Sequence, residues 1–382
     1  MSMLSGARVQ GSGRWLLILA FTSALAWNVQ AYGNGISTPC RVSVDDYARS
    51  QGSITPFSEG LVAVRVDEKV GYMDTTGKMI IEPQFESVGS FSEGLAGVGA
   101  RVATNGGKRI VSKGGYIDRT GRIVIPMQFE STSPFSEGRA RVQIRAGDKW
   151  GYIDKRGEMV IPLQFDDSFP FREGFAAVRM GYKYGGASPR TGGYIDKAGN
   201  MVIPLIFDYV DSFSEGLARV RVDGKWGYID KTRSVVIQPP FDVLAPSFHE
   251  GLAVVGRGLR NTKFGYIDKN GKVVIPLKFD YAFPFSEGLA VVKIGERCGY
   301  IDRTGKAVIP PKYAESGSFS QGLAWVKIGK KYGYIDKTGK VAIPPQFDHV
   351  QNFTDGLAGV RKTDRSGNGY IDKTGRVVIW IP

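Results

Sequence analysis

The sequence is 382 residues long, room for two or three ordinary domains or for one long array. Charged residues (23%) and hydrophobic residues (42%) fall in the globular range, which excludes wholesale disorder. Its 51 Gly, 17 Tyr and 21 Phe favour a turn-rich β protein over a helical one. The formal net charge of +13 suits association with anionic polymers, membrane surfaces or acidic proteins, or serves solubility alone.

In chain order, Arg8 and Arg14 precede an apolar run from Trp15 to Ala26, and Val29 and Ala31 suit a cleavage site. This order reads as a secretory signal peptide over residues 1–31, cut before Tyr32, with Ala24 and Ala26 as a second cleavage candidate. The apolar run is shorter than the about 20 residues that a membrane-spanning helix needs. The expected product is periplasmic or secreted, without a stable membrane span, and loss of Arg8 and Arg14 lowers its charge from +13 to +11. Residues 32–56 form an N-terminal segment. Two cysteines, Cys40 and Cys298, are few for an exported chain, so two free thiols are expected. A bridge between them would suit a closed ring better than an open array.

From Phe57 onward the chain repeats itself. Gly-Tyr-(Ile/Met)-Asp starts at Gly71, Gly115, Gly151, Gly193, Gly227, Gly265, Gly299, Gly333 and Gly369. It alternates without a miss with Phe-x-(Glu/Gln/Asp)-Gly, which starts at Phe57, Phe91, Phe135, Phe171, Phe213, Phe248, Phe285, Phe319 and Phe353. Residues 57–382 therefore form one array of nine units.

Each unit opens on a strand of period two. The fourth residue after the Glu-Gly glycine is Val in every unit, from Val64 to Val360, and the second is Ala except for Val62. One closely packed buried face is expected there, while positions three and five vary and point the other way. Gly-Tyr-Ile-Asp forms a second strand, and its Asp caps an Asp-x-x-Gly turn. The fifth unit has Arg233 in place of that glycine, so its turn should be strained or built differently. A third, apolar strand ends at Pro, which removes a ladder donor. The unit is thus a three-stranded antiparallel meander. About 34 residues cannot offset an ordering cost of roughly 1.5 kcal/mol each, so neighbouring units must share a core.

Lys149-Trp150-Gly151 and Lys225-Trp226-Gly227, each running into Tyr-Ile-Asp-Lys, resemble the WG repeat family of bacterial proteins. The resemblance covers Phe57 to Pro382 and implies a β-rich repeat array, with no activity shared across the family. The expected fold is all-β: nine meander units in an open twisted superhelix or solenoid, with a closed β-propeller as the alternative. Nine three-stranded blades would exceed the usual four to eight blades of four strands.

No chemistry of an enzyme is marked. The two histidines, His249 and His349, are 100 residues apart, and two isolated cysteines make no metal pattern. Carboxylates recur in nearly every unit, whereas a catalytic pair should be singular, so turn and cap hydrogen bonding is their expected role. No cofactor and no metal are expected. The binding candidates are the fifth-position cations Arg65, Arg179, Arg221, Lys293, Lys327 and Arg361, with Trp325 beside Lys327. Stacking would align them into a basic ladder. A second cationic row runs along the turn tips, from Arg119 to Lys373, and two basic Gly-rich insertions span residues 101–113 and 180–192. The competing reading is that these cations only aid solubility and guard strand edges. The expected function is a non-catalytic exported scaffold that presents a basic face to an anionic polysaccharide or an acidic protein. The alternative is a protein-interaction module that uses the two insertions. Nucleic acid is disfavoured because the signal peptide directs the chain away from it.

Overall fold

A computed structural model describes residues 55–381 apart from 105–108, 146, 182–190, 239–240, 259–260 and 364–366. The signal peptide, Cys40 and most of the N-terminal segment lie outside the described residues.

Blade 7 shows how one unit folds. Leu289–Ile294 pairs antiparallel with Arg297–Asp302 through Leu289↔Asp302, Val292↔Gly299 and Ile294↔Arg297. Ala307–Tyr313 then pairs back through Tyr300↔Ile309 and Cys298↔Tyr313. Two extra residues on the third strand make a bulge around its prolines, and the bulge crowds the glycine of Gly-Tyr-Ile-Asp. A Cβ added at this glycine would stand 2.2 to 2.8 Å from the isoleucine carbonyl oxygen of the third strand in blades 1 to 8. The repeated glycine follows from that close approach.

A fourth strand precedes these three. The connector forms a two-residue strand, Tyr281–Ala282 in blade 7, which pairs with the first long strand. Among the described residues, seven of the nine sheets have four strands, and blades 1 and 8 have three. The three-stranded meander expected from sequence is corrected accordingly. Two residues are too few to show a period of two, so the pattern carries no mark of this strand.

Between the short strand and the first long strand, Ser-Glu-Gly-Leu forms a two-residue hairpin. In blade 7, Ser286 N–H donates to Leu289 O, and Leu289 N–H donates to Ser286 O. Both central residues are left-handed, at φ 55° for Glu287 and 84° for Gly288, as a type I′ turn requires.

The open superhelix is overturned: the array is a closed ring of nine blades, a β-propeller. Each seam repeats the same contacts. The Tyr of Gly-Tyr-Ile-Asp donates its hydroxyl to a carbonyl of the next blade at 2.6 to 2.8 Å, and its ring meets the Phe of the next Phe-x-Glu-Gly loop. The ninth seam joins the last blade to the first. Tyr370 Oη donates to Thr55 O at 2.8 Å, and its ring lies edge-on to Phe57 with centroids 5.0 Å apart. Phe57, Val62, Val64 and Met73 share one apolar cluster with Leu357, Tyr370 and Ile379. Equal rotations at equal seams bring the last blade back to the first.

The packing face read from the alternation is present. Every fourth-position valine is at most 4% exposed, and the second-position residues are at most 1% exposed. The variable face is covered over much of the ring, because both faces of a blade meet a neighbour, although Arg65 and Arg221 on it are exposed.

Candidate functional site

The ring has two rims, and the repeat fixes what stands on each. The Asp-x-x-Gly turns and the Phe-x-Glu-Gly loops share one rim, the turn rim. The hairpins between the first and second long strands form the opposite rim, the hairpin rim.

At the turn rim, the turn carboxylates cap backbone. Asp336 Oδ1 accepts from Thr338 N–H at 2.9 Å, Thr338 Oγ1 at 2.6 Å and Lys340 N–H at 3.1 Å. The Thr338 hydroxyl is the leading cause that holds this carboxyl below the usual aspartate range. In blade 5, Arg233 adopts φ 76° to complete the same turn. The acidic residue of each Phe-x-Glu-Gly loop reaches the next blade. Its carboxylate accepts the glycine N–H of the following loop at 2.8 to 3.0 Å, from Glu59–Gly94 through Glu287–Gly322. Gln321–Gly356 and Asp355–Gly60 complete the circle. In six seams a turn-tip cation joins the same carboxylate, for example Lys197–Glu137 at 3.1 Å and Lys337–Glu287 at 3.1 Å. The cationic row expected along the turn tips is therefore largely committed to holding seams. This rim carries eighteen basic and eighteen acidic side chains, so it has no excess of charge.

The fifth-position candidates lie toward the hairpin rim, one rung from the hairpins: Arg65 opposes Val70, Arg221 opposes Trp226 and Lys327 opposes Tyr332. They do not form a uniform exposed ladder. Arg65 and Arg221 are exposed, Lys327 and Arg361 are half-buried, and Arg179, Lys293 and Trp325 are 7 to 8% exposed between blades. Trp325 packs against Gly317, where a Cβ would stand 2.2 Å from its indole nitrogen. Lys327 Nζ meets Glu315 at 2.7 Å, and that carboxylate also accepts from Tyr332 Oη at 2.6 Å. Glu315 raises the Lys327 ammonium, while burial and Glu315 together push the Tyr332 phenol up to about 12. Connector carboxylates pair with other hairpin cations; Lys331 and Thr363 hold Asp348 down to about 2.

Blades 3 to 5 hold a cluster that breaks the repeat. Arg141, Arg179 and Arg219 each donate to a carbonyl on the next blade's short strand, at Ser168, Val210 and Leu244. Asp167 lies between Arg141 and Arg179, and Asp211 binds Arg219 Nε at 2.7 Å. Trp150, Tyr209 and Trp226 cover the guanidinium faces at 4.7, 4.1 and 4.3 Å. Burial lowers the Arg141 pKa and raises that of Asp211, with Arg219 opposing the second shift. Arg141 and Arg219 were absent from the sequence candidates. Their signal is a third-position Arg on a strand face that elsewhere carries Ala, Gly, Val or Trp. The cluster seals seams, with Arg141 and Arg179 buried and Arg219 half-buried.

Cys298 is disulfide-bonded, which corrects the expectation of free thiols; the sequence has one other cysteine, Cys40, outside the described residues. His249 Nε2 lies 3.0 Å from Ser247 Oγ, a hydroxyl in a residue only 6% exposed. The first insertion lengthens a hairpin, Ala96–Thr104 paired with Arg109–Ile117, and most of the second lies outside the described residues.

A family model described as "WG containing repeat" matches residues 71–99, 115–147, 150–184, 193–226, 226–257, 264–298, 299–332 and 332–365. The chain belongs to the WG-repeat family. In this WG-repeat protein the family's tryptophan position is the rung opposite the fifth-position cation, as in Arg221↔Trp226. No curated protein matches the sequence. Among solved structures, the chain is similar to a eukaryotic initiation factor at 10% identity, covering 88% of this chain and 89% of that one with a TM-score of 0.44. It is similar to AztD from Citrobacter koseri at 14% identity, covering 84% and 93% with a TM-score of 0.35. It is also similar to an acylaminoacyl peptidase from Pyrococcus horikoshii at 11% identity, covering 75% of this chain and 51% of that one with a TM-score of 0.36. Among the described residues no helix is long and apolar enough to cross a membrane.

Proposed function

We propose that this WG-repeat ring is a non-catalytic scaffold, exported from the cytoplasm, that holds an anionic polymer of the cell envelope. The observation that carries the reading is the separation of charge. The turn rim balances eighteen cations with eighteen carboxylates, so the excess positive charge of the ring lies toward the hairpin rim. Polyanions are retained by such a surface through release of their counterions. The recurring carboxylates cap turns and seams, and among the described residues the non-recurring Asp167, Asp211 and Glu315 are paired with arginine or lysine. A disulfide at Cys298 and a signal-like leader both support an oxidising compartment.

Chromatography on immobilised anionic and neutral polysaccharides at rising salt tests the reading. Retention on the anionic matrix alone, lost as salt rises, is expected. Equal retention on both matrices, or on neither, contradicts it.

The long hairpin of blade 2 favours a second reading, an acidic protein gripped by the insertions at 101–113 and 180–192. Deleting both should then abolish partner recovery in a pull-down from envelope extract. Unchanged recovery removes this reading.

A further inference from the structure

The hairpin rim is not uniformly basic, and its asymmetry has a direction. From Asp242 to Lys362, the hairpin ends of blades 6 to 9 carry eleven cations and five carboxylates among the described residues. The turn ends of the same blades carry eight cations and seven carboxylates. Within the hairpin arc, Lys263, Lys293, Lys327 and Lys331 have carboxylate partners. Lys278, Arg297, Lys312 and Lys330 are exposed and have no carboxylate within 4.0 Å among the described residues. Arg297 donates to the main-chain carbonyl of Lys312 at 3.4 Å, so the two residues are neighbours on blade 7.

Both flanks of the arc lose the excess. On blade 5, Arg221 and Lys225 are matched by Asp208 and Asp223. On the other side, ring closure sets blade 9 against blade 1, where Asp67 and Glu68 are exposed between Arg65 and Lys69, and Glu86 pairs with Lys69 at 4.0 Å. The uncompensated charges belong to successive blades and do not converge on one pocket. That arrangement matches a linear chain with repeating charge rather than a small anion.

We infer that a linear polyanion bearing phosphate or carboxylate groups lies along the hairpin rim of blades 6 to 8, extends onto blade 9, and is turned away at the acidic hairpin end of blade 1. The inference rests on the proposed scaffold function and adds the place and polarity of binding. Cations that face solvent contribute through charge, so each one removed should lower the salt dependence of affinity by about one unit.

The test compares two quadruple variants of the full chain with equal loss of charge. One combines Lys278→Gln, Arg297→Gln, Lys312→Gln and Lys330→Gln on the hairpin rim. The other combines Lys78→Gln, Arg122→Gln, Lys306→Gln and Lys340→Gln, exposed sites on the turn rim. Affinities for long-chain polyphosphate and for a polyuronate are measured across salt concentrations, with anionic lipid vesicles as a third probe. The hairpin set should weaken polymer binding by about 10-fold or more and flatten its salt slope, while the turn set stays within about twofold. The polymer that shows this difference identifies the charged group. Equal weakening by both sets overturns the arc and leaves the scaffold reading standing. A difference seen only with vesicles overturns the polymer. Failure of the unmodified protein to bind either polymer overturns the scaffold reading as well.

Discussion

The two rims of the ring are built from the same repeat and have diverged in opposite ways. On the turn rim, Asp, Glu and Gly recur because each closes a turn or a seam, and cations there face carboxylates of the preceding blade. On the hairpin rim, loop length and charge differ from blade to blade, and among the described residues the largest excess of cations lies on blades 6 to 9. The difference teaches that recurrence in a repeat protein marks the contacts that build it. Departure from recurrence at exposed positions marks the surface free to acquire a partner, whereas the buried departures Arg141 and Arg179 still hold seams.

If that division holds, damage to the turn rim should cost stability and damage to the hairpin rim should not. The largest effect is expected from Phe285→Ala, which empties a site 3% exposed and removes the ring packed on Tyr266. A loss of about 3–5 kcal/mol in denaturant unfolding follows from such cavities. Phe57→Ala should cost a similar amount, because Phe57 makes the same contact with Tyr370.

Next in size, Glu287→Ala should cost about 1 kcal/mol, from a partly exposed ionic hydrogen bond to Gly322 N–H and a pair with Lys337. Its pH dependence has a sign. Burial opposes the charge on Glu137, Glu215 and Glu287, but the facing lysine and the glycine N–H outweigh it, so each titrates below the ordinary glutamate range. Their contribution is complete above about pH 4.3, the unfolded-state value, and is lost as pH falls through the lower folded-state value. Melting curves of Glu287→Ala and the parent should therefore converge in acid, whereas Gln321→Ala should lower the melting point equally in acid and at neutral pH.

Arg233→Gly relieves a left-handed arginine and should add about 0.5–1 kcal/mol on the turn rim. The smallest effect is expected on the other rim. Arg297→Gln should change stability by less than about 0.5 kcal/mol, since its side chain is exposed and makes one long hydrogen bond. A larger loss in thermal unfolding would erase the contrast between the rims.

Much of the blade could be read from sequence because its determinants are local. Val64 and its eight equivalents announce a buried face by alternation, and the Asp and Gly of the turns announce their hydrogen bonds. Closure could not be read, since it depends on a rotation summed over nine seams, and the Tyr370–Phe57 contact that closes the ring uses the same residue types as the other seams. The two-residue strands were too short for a pattern. Among the candidate residues, sequence placed Arg65 and Arg221 on an exposed face, where they stand, but Arg179, Lys293 and Trp325 are buried between blades. Alternation tells which residues share a face of one sheet; it does not tell whether the next sheet covers that face.

Closure is the claim on which the seams, the rims and the basic arc depend. Spin labels at Thr76→Cys and Thr374→Cys, across blades 1 and 9, can be compared by pulsed electron resonance with labels at Thr304→Cys and Thr338→Cys, across blades 7 and 8. These positions are equivalent within the repeat, so a closed ring predicts the same distance for both pairs. A distance between blades 1 and 9 far longer than that between blades 7 and 8 would show an open array and contradict the account.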